Sequence, residues 1–285
     1  MIIAFENEPL PVSPDGKSMA LKLGDWLDLA DLVPAIELDV RPIGELGADK
    51  PVLIEAFASH AGLLGAETMP SAAEHQLALD LRAYWPAVIK SGVPAIPVYP
   101  VGYVPTEYPV YVRGRTGSLS QSKVNSVEEF KAVANVDGMV ARPWVRIQPC
   151  GDRDSVTKEL RVHVVCGTVA CVEFLFPQWA AQKPTDAELA AGRAWTRTAS
   201  AEVVAWSETL AKHLNVRWFA ADFAQTDAGV KLVEVIPGWC SGITDPCSAR
   251  AVHAAILESM WEMDTQPLWL KPTAQVPWVR MAAGK

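Results

Sequence analysis

The stretch "ADFAQTDAGVKLVEVIPGWCSG", residues 221–242, decides how this chain is read. Asp222 and Glu234 sit inside apolar, strand-like runs, where a carboxylate costs several kcal/mol of desolvation unless something positive meets it. "VRWFAADFAQ" and "VKLVEVI" flank Thr226-Asp227-Ala228-Gly229. A loop over Asp227–Gly229, with the glycine in the left-handed position, pairs Thr226 with Val230. Counting back along both strands then pairs Ala224 with Leu232 and Asp222 with Glu234, so the two acids face each other on one side of a sheet. Cβ atoms of such partners lie about 5 Å apart and like charges there repel. Three arrangements relieve the repulsion: a hard divalent cation such as magnesium between the acids, a proton shared by them, or one acid exposed and reaching water or Lys231.

Upstream, "ELRVHVV" and "TVACVEF" are separated by Cys166-Gly167, a connection suited to a tight hairpin. Their alternation puts Glu159, Arg161 and His163 on one face and Leu160, Val162 and Val164 on the other. A helix is predicted from Ala201 to His213, with Val203, Leu210 and Leu214 at helical spacing. Earlier still, "YPVYVRG" predicts a strand, "GRTGSLSQSK" a Gly/Ser loop, "SVEEFKAVAN" a short helix capped by Ser126, and "MVARPWVRI" a strand interrupted at Pro143. Before the proline-rich connector "VPAIPVYPVGYVP", a strand is predicted in "PVLIEAFAS". Between them a helix is predicted over Ser71–Lys90, with Ser71 as N-cap, Glu74 completing a capping box and Gly92 past the end. These elements divide into an N-terminal region 1–95, a small lobe 96–155 and a larger lobe 156–285.

The chain has 285 residues, half of them apolar, and carries 33 acidic against 25 basic side chains for a formal charge of −8. That balance argues against a general binder of nucleic acid phosphates, though not against a local basic pocket. No run approaches the roughly 20 apolar residues of a membrane span, and the N-terminus lacks a basic start with a long apolar core, so no membrane partner and a cytoplasmic location are expected. The five cysteines show no CxxC spacing, which suggests neither a disulfide framework nor a zinc site. The eleven tryptophans do not recur at a spacing that builds a base-stacking ladder.

The order of parts resembles the ATP-grasp family of ATP-dependent carboxylate ligases. "ADFAQTDAGVKLVEVIPGWCSG" is similar to the family's pair of acid-bearing strands, and "KELRVHVVCGTVACVEF" to its "E-x-R" hairpin. The resemblance runs over residues 100–245 and implies an α/β (α+β) fold with small and large lobes built on antiparallel-rich sheets. It implies ATP and Mg2+ as cofactors, with Asp222 and Glu234 as metal ligands and Arg161, with Glu159 beside it, as the catalytic pair at the transferred phosphoryl group. Arg113 and Lys123, at the two ends of the Gly/Ser loop, would meet phosphates, and Arg142, Trp144 and Val145 would lie against adenine. "GWCSG", residues 238–242, would wall the acceptor. The partners implied are a carboxylate and an amine, small molecules or peptides, joined through an acyl phosphate; nothing sets the oligomeric state.

Two departures stand out. Ile236 occupies the position where the family usually carries a metal-binding asparagine, and Arg113 stands where it usually carries lysine. The first favours a rival reading, a protein that binds Mg-ATP without turning it over. A second rival, an interaction protein that binds no nucleotide, is favoured by the tryptophan-rich tail "PLWLKPTAQVPWVR". Read residue by residue, Glu159 and Arg161 could equally form a surface ion pair, the Gly/Ser loop a solvated hairpin tip, His163 a core histidine and Cys240 an inert thiol.

Overall fold

The computed structural model describes residues 2–5, 39–42, 53–55, 68–114, 122–134, 138–151, 156–175, 184–241, 243 and 246–263. Three sheets organise them. The first is parallel, with β1 (Ile2–Phe5) between β2 (Asp39–Pro42) and β3 (Leu53–Glu55), and β3 is the strand expected in "PVLIEAFAS".

The helix expected over 71–90 is two helices, α1 (Ala72–Leu79) and α2 (Leu81–Ser91). The break is at Asp80, extended at φ −90° and ψ 110°, whose carboxylate accepts from the Arg82 amide at 2.9 Å. Asp80 is a strong N-cap, and satisfying the orphan amides of a new helix offsets ending the old one. The capping box at the start is as expected: the Glu74 amide donates to Ser71 Oγ at 3.3 Å and the Ser71 amide to Glu74 Oε2 at 2.7 Å. Gly92, at φ 68°, closes α2.

The second sheet is antiparallel, in the order β5 (Ser122–Val124), β4 (Val110–Gly114), β6 (Met139–Pro143), with helix α3 (Val127–Ala134) beside it. Its small core joins Val110, Val112, Val124, Phe130 and Ala141. Ser126 accepts from the Glu129 amide, as its capping role requires.

The third sheet, also antiparallel, has the order β10 (Gly229–Pro237), β9 (Trp218–Thr226), β7 (Glu159–Val165), β8 (Thr168–Leu175). Cys166 and Gly167, at φ 47° and 86°, make the expected tight turn between β7 and β8. Leu160, Val162 and Val164 face the main core with Phe219, Ala221 and Phe223 of β9, against α2 and the long helix α4 (Asp186–Leu214). That helix begins well before the predicted Ala201, at a second capping box in which Glu188 and the N-cap Thr185 bond each other. Its first half hid from an apolar count because the positions it buries are small or polar: Gly192, Thr196 and Ala199. A Cβ on Gly192 would stand 2.2 Å from Phe174 Cζ, so glycine there lets α4 seat on β8. Helix α5 (Pro246–Met263) closes the described chain, and no helix among the described residues is long and apolar enough to cross a membrane.

The β9–β10 register corrects the counting argument while keeping its result. Thr226 lies opposite Gly229 rather than Val230, and Ala224 opposite Lys231 rather than Leu232. A bulge between Leu232 and Glu234 then shifts the ladder and brings Glu234 opposite Asp222. The offset that sequence reasoning placed in the turn is carried by Val233 within the strand. The far edge of β10 is covered by the proline-rich connector: the Ile96 amide donates to Leu232 O at 3.1 Å and the Leu232 amide to Pro94 O at 2.8 Å.

Candidate functional site

The acid-bearing face of the large sheet meets one face of the small sheet, and the charges between them are ordered. Arg161 on β7 lies opposite Asp222 on β9 and grips it with both arms, Nε to Oδ1 and Nη2 to Oδ2, each at 2.8 Å. Its remaining arm, Nη1, donates to the Ser241 carbonyl in the turn after β10. Both side chains are buried. Burial works against the Arg161 charge, but Asp222 outweighs it and holds the guanidinium above its usual range. Burial and the neighbouring Glu234 push the Asp222 carboxyl up, against the pull of Arg161.

Glu234 is met from the other lobe. Arg113 on β4 donates through Nη1 to Glu234 Oε2. Arg142 on β6, on the same face of the small sheet, donates at 2.6 Å to the carbonyl of Val233, the bulge residue, and stacks its guanidinium 5.0 Å from the centre of the Tyr111 ring. Arg142 meets no carboxylate among the described residues; burial, then Arg113, lowers its hold on the proton. Outward from these, Lys123 Nζ lies 4.7 Å over the Trp144 ring, which is 41 % exposed and packs 6.1 Å from Tyr111.

Glu159, at the start of β7, is the acid without an arginine. Burial and then its neighbours Asp222 and Glu234 push its carboxyl up to about 7. Behind Arg161, the fully buried His163 sets Nε2 3.2 Å from Glu173 Oε1 while its Nδ1 has no partner, so the core-histidine reading holds for only half of the ring. The turn after β10 is fixed on three sides: Trp239 Nε1 donates to His75 Nδ1 at 3.1 Å, Ser241 O accepts from Arg161, and a Cβ on Gly238 would stand 2.2 Å from Trp218 Cδ1. Cys240 donates to Pro237 O at 3.5 Å.

Residues 103–263, more than half of the chain, match the family model of an ATP-grasp domain, family 3 of its clade. The chain belongs to that ATP-grasp family. No curated protein sequence matches it. Among solved structures it is similar in fold to a RimK domain ATP-grasp protein from Sphaerobacter thermophilus, at TM-score 0.58 and 14 % identity over 90 % of this chain and 98 % of that one. It is similar also to the D-alanine–D-alanine ligase of Bacillus anthracis, at TM-score 0.55 and 12 % identity over 93 % and 97 % of the two chains. N5-carboxyaminoimidazole synthetase from Staphylococcus aureus follows at TM-score 0.52 and 14 % identity, covering 83 % and 69 %.

Within this ATP-grasp frame, Arg113, Arg142, Arg161, Asp222 and Glu234 converge on the seam between the sheets, with Glu159 beside them. Lys123, Trp144 and Val145 stand farther out on the small lobe. Lys231 takes no part: the acids are neutralised by arginines. The Gly/Ser loop with Gly117, Ser118 and Ser120, and the tail from Asp264, lie outside the described residues. Sequence reasoning missed Tyr111, whose place two before Arg113 on β4 puts it on the site face, and Glu173, which lies opposite Arg161 on β8. It also missed Tyr84, whose hydroxyl accepts from the Val235 amide at 3.2 Å beside Glu234; a tyrosine on a helical core face gives no signal of its own.

Proposed function

We propose that this ATP-grasp protein is a ligase that joins a carboxylate to an amine at the expense of ATP. The observation that carries it is the convergence of Arg113, Arg142 and Arg161 on the facing acids Asp222 and Glu234 across the seam between the lobes. Three guanidinium groups at one seam match a polyphosphate better than any neutral ligand.

The donor set suits magnesium. The available side chains are hard oxygen donors, Asp222, Glu234 and Glu159, and their mutual repulsion helps to drive Glu159 up, so a cation would relieve it. No ready-made cage of three His, Cys, Asp or Glu ligands exists among the described residues, but magnesium usually takes only one or two carboxylates plus phosphate oxygens. Asp222 and Glu234 would hold the ion, which would neutralise charge on the phosphates.

In the proposed reaction a carboxylate oxygen attacks the terminal phosphorus of ATP, giving an acyl phosphate and ADP; an amine then attacks the acyl carbon and phosphate leaves. Arg161 acts on the phosphoryl oxygens, where negative charge builds, and because Ser241 and Asp222 already fix it, little reorganisation is needed. Arg113 and Arg142 bind the remaining phosphates; Tyr111, Trp144 and Val145 offer the apolar and aromatic surface for adenine. The turn 238–242, anchored by His75 and Trp218, faces the acceptor.

Calorimetric titration with Mg-ATP tests binding, and ADP release across a panel of carboxylate and amine pairs tests turnover. Absence of Mg-ATP binding overturns the proposal. The second reading, binding without turnover, rests on Ile236, opposite Ala220, where no side-chain oxygen is offered to an ion.

A further inference from the structure

The arginines that would receive phosphate are already in use. Arg113 and Arg142 come from neighbouring strands of the small sheet, are each only 7 % exposed, and both land on the bulge of β10. Arg113 takes the Glu234 carboxylate, and Arg142 takes the carbonyl of Val233, the residue the bulge drops from the β9 ladder. A bulge inside the strand, rather than an offset in the turn, is what frees that carbonyl. The two contacts tie the small lobe to the large one through a single strand whose neighbouring residues, Leu232 and Val235, are pinned by the connector and by Tyr84.

We propose that Arg113 and Arg142 form an interlobe latch on β10 that keeps the site closed against free anions, and that a polyphosphate opens it by taking both arginines from Glu234 and Val233. The inference rests on the nucleotide reading only for the identity of the polyanion. Its chemistry is an exchange of partners. Arg113 cannot serve Glu234 and a phosphate with the same arm, so polyanion and latch compete; once Arg113 leaves, Glu234 is an uncompensated buried carboxylate, available to a cation that arrives with the phosphates. Arg142 gives up a neutral carbonyl for a charge-assisted bond, which favours the open state. Polyanion alone therefore binds poorly, and polyanion with a divalent cation binds well.

The test is metal-free titration with sodium tripolyphosphate in the presence of a chelator, on the wild-type chain and on Glu234→Gln. The latch predicts that E234Q binds tripolyphosphate at least about fivefold tighter than wild type, because Arg113 is released. Equal or weaker binding by E234Q, or no binding by either protein, overturns it. A second measurement needs no variant: amide exchange of the wild-type protein over residues 232–235 should rise on adding metal-free tripolyphosphate, and unchanged or slower exchange also overturns the latch. Neither arm uses ATP or magnesium, so failure of wild type to bind Mg-ATP would sink the ligase proposal and leave the latch standing.

Discussion

Arg161 spans the gap to Asp222 with two parallel hydrogen bonds of 2.8 Å from the directly opposing position on the neighbouring strand. A pair this buried is costly to break from one side, because the survivor stays charged in a dry place. Arg161→Met should lower unfolding free energy by about 3–5 kcal/mol in urea denaturation. The double change R161M with D222L should recover most of that, because a well-packed apolar pair removes the orphaned charge. A loss under about 1 kcal/mol for R161M alone would mean that the pair is not what neutralises Asp222.

Glu159 makes stability depend on pH in an unusual direction for an acid. Its carboxyl is raised from 4.5 to about 7 by burial first and by Asp222 and Glu234 next. The native state therefore keeps a proton that the unfolded chain releases. The stabilising contribution is fully present below 4.5 and is lost as pH rises through about 7, a swing on the order of 3 kcal/mol before solvent screening is discounted. Glu159→Gln should flatten the stability curve between those limits and raise stability above pH 7; urea midpoints at four or five pH values would check it. A curve of unchanged slope in E159Q assigns the titration elsewhere.

Gly192→Ala sets two effects against each other. Alanine gains about 1 kcal/mol over glycine inside a helix. The new Cβ, however, would stand 2.2 Å from the Phe174 ring, and overpacking costs about 1–3 kcal/mol. The clash should win, lowering the melting temperature, and Phe174→Leu in the same chain should restore it. A G192A protein as stable as wild type would show that the ring turns aside freely.

How much of this could be read beforehand follows from which signals are local. The β7–β8 hairpin, the Ser71 capping box and the meeting of Arg161 with the acid face were legible because alternation, turn residues and caps act over a few neighbours. The facing of Asp222 and Glu234 was legible only in outcome. A turn offset and a bulge shift a ladder equally, and nothing local to Val233 distinguishes them. The break at Asp80 and the first half of α4 were not legible, since an aspartate caps as readily as it sits on a helix surface, and Gly192 and Thr196 look like loop residues until Phe174 is opposite. The arginine latch spans 121 residues between Arg113 and Glu234, and only the packed sheets bring its ends together.

Ile236 offers the sharpest test of whether this site turns over. It lies two residues beyond Glu234, half-buried and opposite Ala220, so it presents hydrocarbon where the resemblance places an amide oxygen. Ile236→Asn replaces an apolar side chain by a polar one, and without a partner that should cost about 1–3 kcal/mol in the ligand-free protein. If the seam binds a metal-bound nucleotide, the new oxygen meets the ion, so I236N should bind manganese-ADP several-fold more tightly while melting at a lower temperature without ligand. Manganese electron paramagnetic resonance reads the first change and a thermal scan the second. The direction of turnover then decides between the two readings of the wild-type chain. A rise in ADP release from nothing in I236N marks the natural protein as a binder whose chemistry was switched off at this position. A fall from measurable release marks Ile236 as fitted to a site that works with fewer metal ligands, and unchanged manganese affinity would place the ion away from Glu234 altogether.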